Sequence, residues 1–213
     1  MLKKNKCIII LTALVCLIPI AVGAILWDRL PEQIPSHWGI DGQVDGWSSK
    51  PFAVFFFPAL LAGIHLICIF ASALDPKYEN INKKMFRLVF WICPVLSLVL
   101  NSMVYTVALG YDILNVPVIM CMLVGIMFII VGNYLPKCRQ SYTMGIKLPW
   151  TLDDEGNWNA THRFGGWVWV GCGIAMLATA FLGIFWILIG VILVAVIAPT
   201  VYSYMYYRKH KEK

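Results

Sequence analysis

The chain has 213 residues, of which 60% are hydrophobic and only 13% are charged, and its formal net charge at pH 7 is +6. A soluble domain usually contains about 25% charged residues, so this composition excludes an ordinary water-soluble fold. The Lys and Arg residues lie in several short segments, which argues against a basic groove for nucleic acid. The composition predicts an all-α membrane protein without direct contact to nucleic acid.

Long uncharged blocks mark the predicted membrane spans. A helix rises about 1.5 Å per residue and needs about 20 residues to cross a hydrocarbon core of about 30 Å. The first four blocks each fit one span, whereas the last block fits two spans with a turn near residues 181–185. The predicted spans are residues 7–26, 52–74, 88–110, 117–135 and two within 166–207.

The first block has an alternative interpretation as a cleavable signal peptide. Three lysines precede it, and Val22-Gly23-Ala24 near its end resembles a cleavage site. However, its apolar run is longer than the 7–15 residues typical of a signal peptide. Trp27 at the far end fits a helix anchored at the membrane interface. We therefore expect an uncleaved span.

The basic residues predict the orientation, because short cytoplasmic loops are rich in Lys and Arg. With a cytoplasmic N-terminus, only Arg29 and Lys50 of the 17 Lys and Arg lie outside, which leaves 15 (17 minus 2) inside. We therefore expect both termini in the cytoplasm. The loops are then an outer first loop (residues 27–51), an inner second loop (residues 75–86) and an inner third loop (residues 136–165).

Polar and Pro residues within the spans leave a transporter open as an alternative function. Pro19, Pro58, Pro94 and Pro199 can kink helices and shape a cavity. His65 is an ionisable group at membrane depth, which is costly and often functional. However, Pro is common in membrane helices, and a neutral His can be satisfied by one hydrogen bond to a neighbouring helix. We favour these structural roles.

The first loop predicts a compact, turn-rich cap on the membrane surface. Pro31 and Pro35 favour extended backbone before them, and Gly42 permits a positive φ. Trp38 and Trp47 are expected in the interfacial zone.

A metal site is not expected in this loop. His37, Asp41 and Asp45 have a spacing that would align them on a helix, but the glycines between them argue against a helix. We expect both Asp side chains to accept hydrogen bonds from turn amides. The seven Cys include no CxxC pair, so neither a zinc site nor a disulfide framework is expected.

The third loop predicts a helix that begins just after Asp153 as its N-cap and ends at Gly165-Gly166. Trp158 and His162 lie one turn apart and share a face of this helix. Lys137, Arg139, Trp158 and Arg163 are expected at the headgroup layer, where cations meet anionic lipid. The alternative is a docking surface for a cytoplasmic protein.

Thr161-His162 with Asp153 or Asp154 is a possible acid–base set. The sequence has no recognisable nucleophile elbow, phosphate loop or HExxH pair beside it. We therefore do not expect an enzyme.

Motifs in all three loops resemble one family of bacterial membrane proteins. The first loop resembles the pattern LP-x-x-IP-x-HW-x-x-x-G-x-x-D-x-x-x-x-K of the DUF1648 domain, and the second loop resembles a following DP-x-x-x-N. The third loop is similar to the C-terminal part of the SdpI family. The matching residues just before and within this loop are Gly132-Asn133, Gly145-Ile146, Pro149-Trp150-Thr151-Leu152, Trp158 and Thr161-His162-Arg163.

The resemblance implies a multi-pass protein of the bacterial cell membrane that confers toxin immunity. It implies a DUF1648-like two-span region over residues 1–86 and an SdpI-like four-span region over residues 87–213. The family's founding member protects a toxin-producing bacterium from its own secreted killing peptide. It also holds a small winged-helix autorepressor at the membrane. The resemblance implies no catalysis, metal or cofactor.

The expected partners are therefore a secreted toxin peptide outside, an autorepressor inside and membrane lipid. The candidates for toxin contact are Pro31, Pro35, His37, Trp38, Gly42, Asp45, Trp47 and Lys50. The candidates for repressor docking are Asn133, Lys137, Arg139, Gly145, Lys147, Pro149, Trp150, Thr151, Trp158, Thr161, His162 and Arg163. Lys147 stands where the family usually has Arg, and Lys lacks the bidentate fork of Arg.

Overall fold

A computed structural model describes residues 2–111, 115–182 and 185–211. Six helices within these residues are long and apolar enough to cross a membrane: Lys3–Ile25, Phe52–Ala73, Lys83–Ala108, Val116–Lys137, Glu155–Leu182 and Trp186–His210. The predicted all-α fold with six spans is confirmed, and the chain is a multi-pass membrane protein. The turn predicted between the last two spans includes residues 183–184, which lie outside the described residues.

The regular elements follow the apolar blocks because a backbone in lipid must satisfy its own hydrogen bonds, as a helix does. The helices are α1 (Lys6–Ile25), α2 (Phe57–Ala73), α3 (Lys83–Ala108), α4 (Val116–Tyr134), α5 (Pro149–Asp153), α6 (Glu155–Thr179) and α7 (Phe185–Lys211). The strands are β1 (Gln33–Trp38) and β2 (Val44–Ser49). A π-helical turn, Phe52–Phe56, leads into α2.

The first loop contains an antiparallel hairpin of β1 and β2, in addition to the predicted turn. Pairing runs from Gln33 opposite Ser49 to Trp38 opposite Val44, with irregular register around His37. A two-stranded hairpin has only edge strands, so the missing N–H of Pro35 is tolerated in β1.

The chain forms two compact units. Unit 1 comprises the residues up to Leu74 together with Phe86–Val116. Unit 2 comprises Asp75–Met85 together with Pro117–Lys213.

A buried apolar cluster in unit 1 packs the hairpin onto helical residues. Its members are Leu30, Ile34, Ala53, Val54 and Tyr105. Helix α3 also donates side-chain hydrogen bonds to the backbone of α1. The Tyr105 hydroxyl donates to the Pro19 carbonyl at 3.1 Å. These contacts give the hairpin a fixed apolar base.

Helix α6 in unit 2 runs through Gly165-Gly166, so the predicted helix end there is wrong. The glycines serve close packing: a Cβ at Gly166 would lie 2.8 Å from the Gly132 carbonyl oxygen on α4. The N-cap also differs from the prediction by one residue. Asp154 caps α6, and its Oδ1 accepts from the Gly156 N–H at 2.8 Å.

Candidate functional site

The turn of the hairpin is built by Gly and Asx chemistry. Gly42 has a φ of +81°, a conformation that suits glycine. The Gly39 N–H donates to the Gln43 carbonyl at 2.9 Å. The Asp41 Oδ1 accepts from the Gln43 N–H at 3.1 Å, as predicted for this side chain. The turn is therefore closed by several local hydrogen bonds.

One face of the hairpin presents polar and aromatic side chains to solvent. His37 Nδ1 and Asp45 Oδ1 are 2.5 Å apart across the strands, and their side chains are 72% and 53% exposed. Asp45 therefore pairs with an imidazole instead of a turn amide. Trp47 is 57% exposed, whereas Trp38 is half-buried. The arrangement combines a hydrogen-bonding pair with an exposed indole on two short strands.

Lys50 lies at the base of this hairpin and is buried. Its ammonium donates to the Trp27 carbonyl at 3.1 Å and pairs with the exposed Glu32 carboxylate at 2.8 Å. It also lies 5.0 Å from the centre of the Trp27 ring, a cation–π arrangement. Lys50 thus joins the two ends of the first loop.

The eight residues predicted for toxin contact separate by exposure. Pro31, His37, Asp45 and Trp47 are exposed, Trp38 and Gly42 are half-buried, and Pro35 and Lys50 are buried. The exposed residues are available to a partner, whereas the buried ones build the hairpin.

Asp75 in the second loop organises the third loop within unit 2. Its Oδ2 accepts from the backbone N–H groups of Tyr142 and Thr143, at 2.9 and 2.8 Å. The Thr143 hydroxyl donates to the same oxygen at 2.7 Å, and Oδ1 accepts from the Lys77 N–H. Burial alone raises the pKa of the Asp75 carboxyl, but the hydrogen bonds from Thr143, Lys77 and Tyr142 outweigh burial and lower this pKa below its ordinary value. The carboxylate is thus held ionised at neutral pH.

Gln140 connects the second loop to helix α5. Its side-chain oxygen Oε1 accepts from the Lys77 ammonium, and its backbone carbonyl accepts from the Asn80 side-chain amide at 2.9 Å. Its side-chain amide donates to the carbonyls of Thr151 and Leu152. One side-chain amide therefore satisfies two backbone carbonyls in the last turn of α5.

Trp158 and His162 on α6 close the other side of the third loop. The rings are stacked with centroids 4.0 Å apart, as their predicted shared face requires. The indole N–H of Trp158 donates to the Cys138 carbonyl at 2.8 Å. His162 Nδ1 donates to the Trp158 carbonyl, and Nε2 accepts from the Ile146 N–H at 2.8 Å. The imidazole is therefore the neutral Nδ1–H tautomer, with both nitrogens bonded to backbone.

Gly145 completes this cluster because its φ is +109°. A Cβ there would overlap His162 Nε2 and would lie 2.8 Å from the Trp158 ring. The neighbouring thiol of Cys138 is buried, which raises its pKa to about 11. The thiol is therefore protonated and weakly nucleophilic at neutral pH.

A second buried network joins α5, α6 and α7. The Trp150 indole N–H donates to the Ser203 hydroxyl, which donates to Asn157 Oδ1 at 2.8 Å. Asn157 Oδ1 also accepts from the Thr161 hydroxyl, and its amide donates to the Ser203 carbonyl. Thr151 accepts from the Leu148 N–H and so caps α5. Thr161 and His162 are thus engaged in packing rather than paired with Asp153 or Asp154.

The twelve residues predicted for repressor docking also separate by exposure. Asn133, Lys137, Arg139, Lys147, Pro149 and Arg163 are exposed, and Gly145 and Trp150 are half-buried. Thr151, Trp158, Thr161 and His162 are buried. Trp158 therefore does not lie at a lipid headgroup surface, which corrects that expectation.

Sequence reasoning assigned no role to Asp75, Cys138, Gln140, Asn157 or Ser203. The motif Asp75-Pro76 with Asn80 was the only available signal for this loop contact. The remaining partners are mostly backbone groups, which are present in every residue and therefore give no signal in the sequence.

His65 in unit 1 is fully buried on α2. Its Nε2 lies 2.9 Å from the Thr12 hydroxyl on α1, and that hydroxyl also lies 2.8 Å from the Ile8 carbonyl. Thr12 therefore donates to Ile8 and accepts from His65. The predicted single hydrogen bond to a neighbouring helix is present. His65 Nδ1 has no partner among the residues that the structure describes.

Comparison with known proteins matches two separate parts of the chain to family models. Residues 14–62 match the domain of unknown function DUF1648, and residues 137–203 match the SdpI/YfhL protein family. The chain is 33% identical over 211 residues to a Bacillus subtilis (strain 168) protein named Immunity protein SdpI, covering 98% of each chain. No solved structure matches the chain. The resemblance predicted from the loop motifs is confirmed.

Proposed function

Because the chain belongs to the SdpI/YfhL protein family, we propose that it is a membrane immunity protein that protects its cell against a secreted killing peptide. The observation that carries this proposal is the similarity to an immunity protein over 98% of both chains. Similarity over this length includes all three loops as well as the spans.

The exposed face of the hairpin is the proposed contact for the toxin. With both termini in the cytoplasm, this face lies outside, where a secreted peptide arrives. Trp47 offers an apolar surface, and the His37–Asp45 pair offers hydrogen-bonding groups beside it. The closed turn and the buried base of the hairpin order these groups before binding, which lowers the entropy cost of association.

A second proposed activity is signalling through a cytoplasmic winged-helix autorepressor. The docking surface would consist of the exposed third-loop residues, notably Lys137, Arg139 and Lys147. The buried residues of this loop would support that surface without touching the repressor. Coupling would require toxin to favour one of two states of the protein.

Cell survival tests the immunity proposal. A toxin-sensitive host expressing the chain is challenged with the killing peptide of the source organism, alongside His37→Ala, Trp47→Ala and Ser49→Ala. Ser49 is an exposed residue on the same strand as Trp47 and serves as the matched control. We expect the first two variants to lose protection and Ser49→Ala to keep it, with equal protein in the membrane. Full protection by every variant would contradict the hairpin as the contact.

Repressor localisation tests the signalling proposal separately. A fluorescent autorepressor is expected to move to the membrane on toxin addition, and Lys137→Gln with Arg139→Gln should reduce this recruitment. Lys83→Gln, which removes an exposed cation at the start of α3, is the control. Recruitment that is unchanged in the double variant would contradict docking on the third loop.

A further inference from the structure

A groove runs along one side of the α6–α7 pair in unit 2. Its volume is about 420 Å³. The residues that define it are Gly156, Ala160, Arg163 and Trp167 on α6 and Tyr202 and Tyr206 on α7. The four α6 residues recur at intervals of three or four, so they form one continuous stripe of the helix. The groove therefore follows the helix axis from the loop end into the span.

Small residues form the floor of the groove and aromatic rings form its wall. A Cβ at Gly156 would lie 3.2 Å from the Tyr206 hydroxyl, so this end is narrow and polar. Tyr202 stacks on Phe164, with ring centroids 4.4 Å apart and planes 14° apart. This stacking fixes the Tyr202 ring as a wall between the two helices.

The polarity of the groove changes along its length. Arg163 is eight residues beyond Glu155, or about 12 Å along the helix axis. Trp167 lies one turn deeper and is 75% exposed. Within the described part of the chain, no carboxylate forms a salt bridge with Arg163. The order from loop to span is thus polar residues, a cation and then an exposed indole.

We propose that this groove binds an anionic phospholipid. The phosphate would pair with the Arg163 guanidinium near the Tyr206 hydroxyl, and an acyl chain would lie against Trp167. Asp154 and Glu155 are exposed at the mouth, and their charge disfavours a phosphate there and favours its placement at Arg163. Basic pockets between membrane helices on the cytoplasmic side recognise anionic headgroups by the same chemistry. This inference does not depend on the immunity function.

Native mass spectrometry of the purified, delipidated full chain tests the proposal. Phosphatidylglycerol and phosphatidylcholine with identical acyl chains are titrated against the wild type, Arg163→Gln, Arg163→Lys and Lys83→Gln. Lys83 is an exposed cation of the same unit outside the groove and is the matched control. Size-exclusion profiles verify that each variant is folded.

We expect the wild type to bind phosphatidylglycerol more tightly than phosphatidylcholine. Arg163→Gln should weaken phosphatidylglycerol binding roughly fivefold, as expected for the loss of one cation near anionic lipid. It should leave phosphatidylcholine binding unchanged, and Arg163→Lys should retain most of the preference. Equal binding of the two lipids by the wild type would overturn the proposal. Equal losses in Arg163→Gln and Lys83→Gln would also overturn it, because they would indicate general charge attraction.

Discussion

The imidazole of His162 lies stacked on the indole of Trp158, and its Nε2 accepts a hydrogen bond from the backbone of Ile146. The geometry leaves no space for a side chain at Gly145, which faces both rings. The third loop is therefore folded against α6 by specific contacts, and its exposed residues are presented on a fixed base.

Gly145→Ala should open the third loop. The backbone conformation at this position alone costs a non-glycine residue about 1–3 kcal/mol, and the new methyl group would overlap His162. Cys138, whose carbonyl bonds Trp158, reports the opening. We expect faster alkylation of the Cys138 thiol at pH 7.5, measured by peptide mass spectrometry. Gly110→Ala also introduces a methyl group at a positive φ, but at an unobstructed site in unit 1, and should leave this rate unchanged. Equal rates in all three proteins would contradict the role given to Gly145.

Asp75→Asn should destabilise unit 2 by about 1.5–3 kcal/mol, because an amide cannot replace a carboxylate that accepts from several donors. The measurement is the apparent Tm of the detergent-purified protein. Glu79→Gln changes an exposed acid in the same loop and should leave the Tm unchanged.

The effect of Asp75 should depend on pH with a definite sign. The folded pKa is below the ordinary value, so the contribution is complete above the unfolded pKa of about 3.9. It disappears as pH falls through the lowered folded pKa. The Tm difference between wild type and Asp75→Asn should therefore be constant from pH 7 to about pH 5 and shrink below about pH 4. A difference that grows on acidification would contradict this assignment.

Gly166→Val should prevent normal packing of α6 against α4. A Cβ at this position would approach the Gly132 carbonyl and the Pro136 ring, which lies 2.7 Å away. Overpacking of this kind typically costs about 1–3 kcal/mol. Gly171→Val is the control on the same helix, since no atom lies within 4 Å of its Cβ position. We expect low yield of monodisperse protein from the first variant and normal yield from the second. Similar yields would show that this close approach is not required.

Lys50→Met should loosen the base of the hairpin while keeping most of the apolar stem. It leaves the Trp27 carbonyl without its donor, a loss of about 1.5–3 kcal/mol for a charge-assisted bond. Glu32→Gln changes only the exposed partner. It should cost less, because Gln keeps a side-chain oxygen that can accept from the ammonium. Proteolysis between residues 30 and 50 should be faster in Lys50→Met alone. Equal cleavage of both variants would place the stabilisation in the ion pair instead.

His65→Leu should retain both stability and protection. It removes the imidazole together with its need for partners, and such apolar replacement is often nearly neutral. Thr12→Val should be more harmful, because it leaves a buried imidazole without its bond. A variant that combines both changes should regain the Tm that Thr12→Val alone loses. Loss of protection in a stable His65→Leu protein would instead support a polar pathway through the membrane and hence a transporter.

The spans could be predicted from sequence because the length of an apolar block is a local property. The end of α6 could not, since Gly165-Gly166 is a typical stop signal whose effect is overridden by packing against α4. The hairpin strands were also missed. Their twelve residues include Pro35, Gly46 and few β-branched side chains, so local propensity does not distinguish them from a turn-rich loop.

The sequence indicated candidate functional residues, but it did not predict which of them are buried or which groups they contact. Trp158 was predicted at the headgroup layer because Trp prefers interfaces, yet the structure buries it under the third loop. Its partner is the Cys138 carbonyl, and the partner of His162 is the Ile146 N–H. Pairing to backbone groups depends on the three-dimensional path of the loop, which the side-chain sequence does not specify.

The hydrogen bonds from Tyr142 and Thr143 to Asp75 have a consequence for biosynthesis. Asp75 and Tyr142 are 67 positions apart. At a translation rate of about 5–20 residues per second, Tyr142 is therefore synthesised several seconds after Asp75. Helices α3 and α4 are synthesised in that interval. Asp75 and Tyr142 lie on the same side of the membrane only if both helices cross it or neither does. A chain in which one of the two fails to insert cannot form these bonds, and its exposed third loop would distinguish it from the correctly inserted protein for cellular quality control.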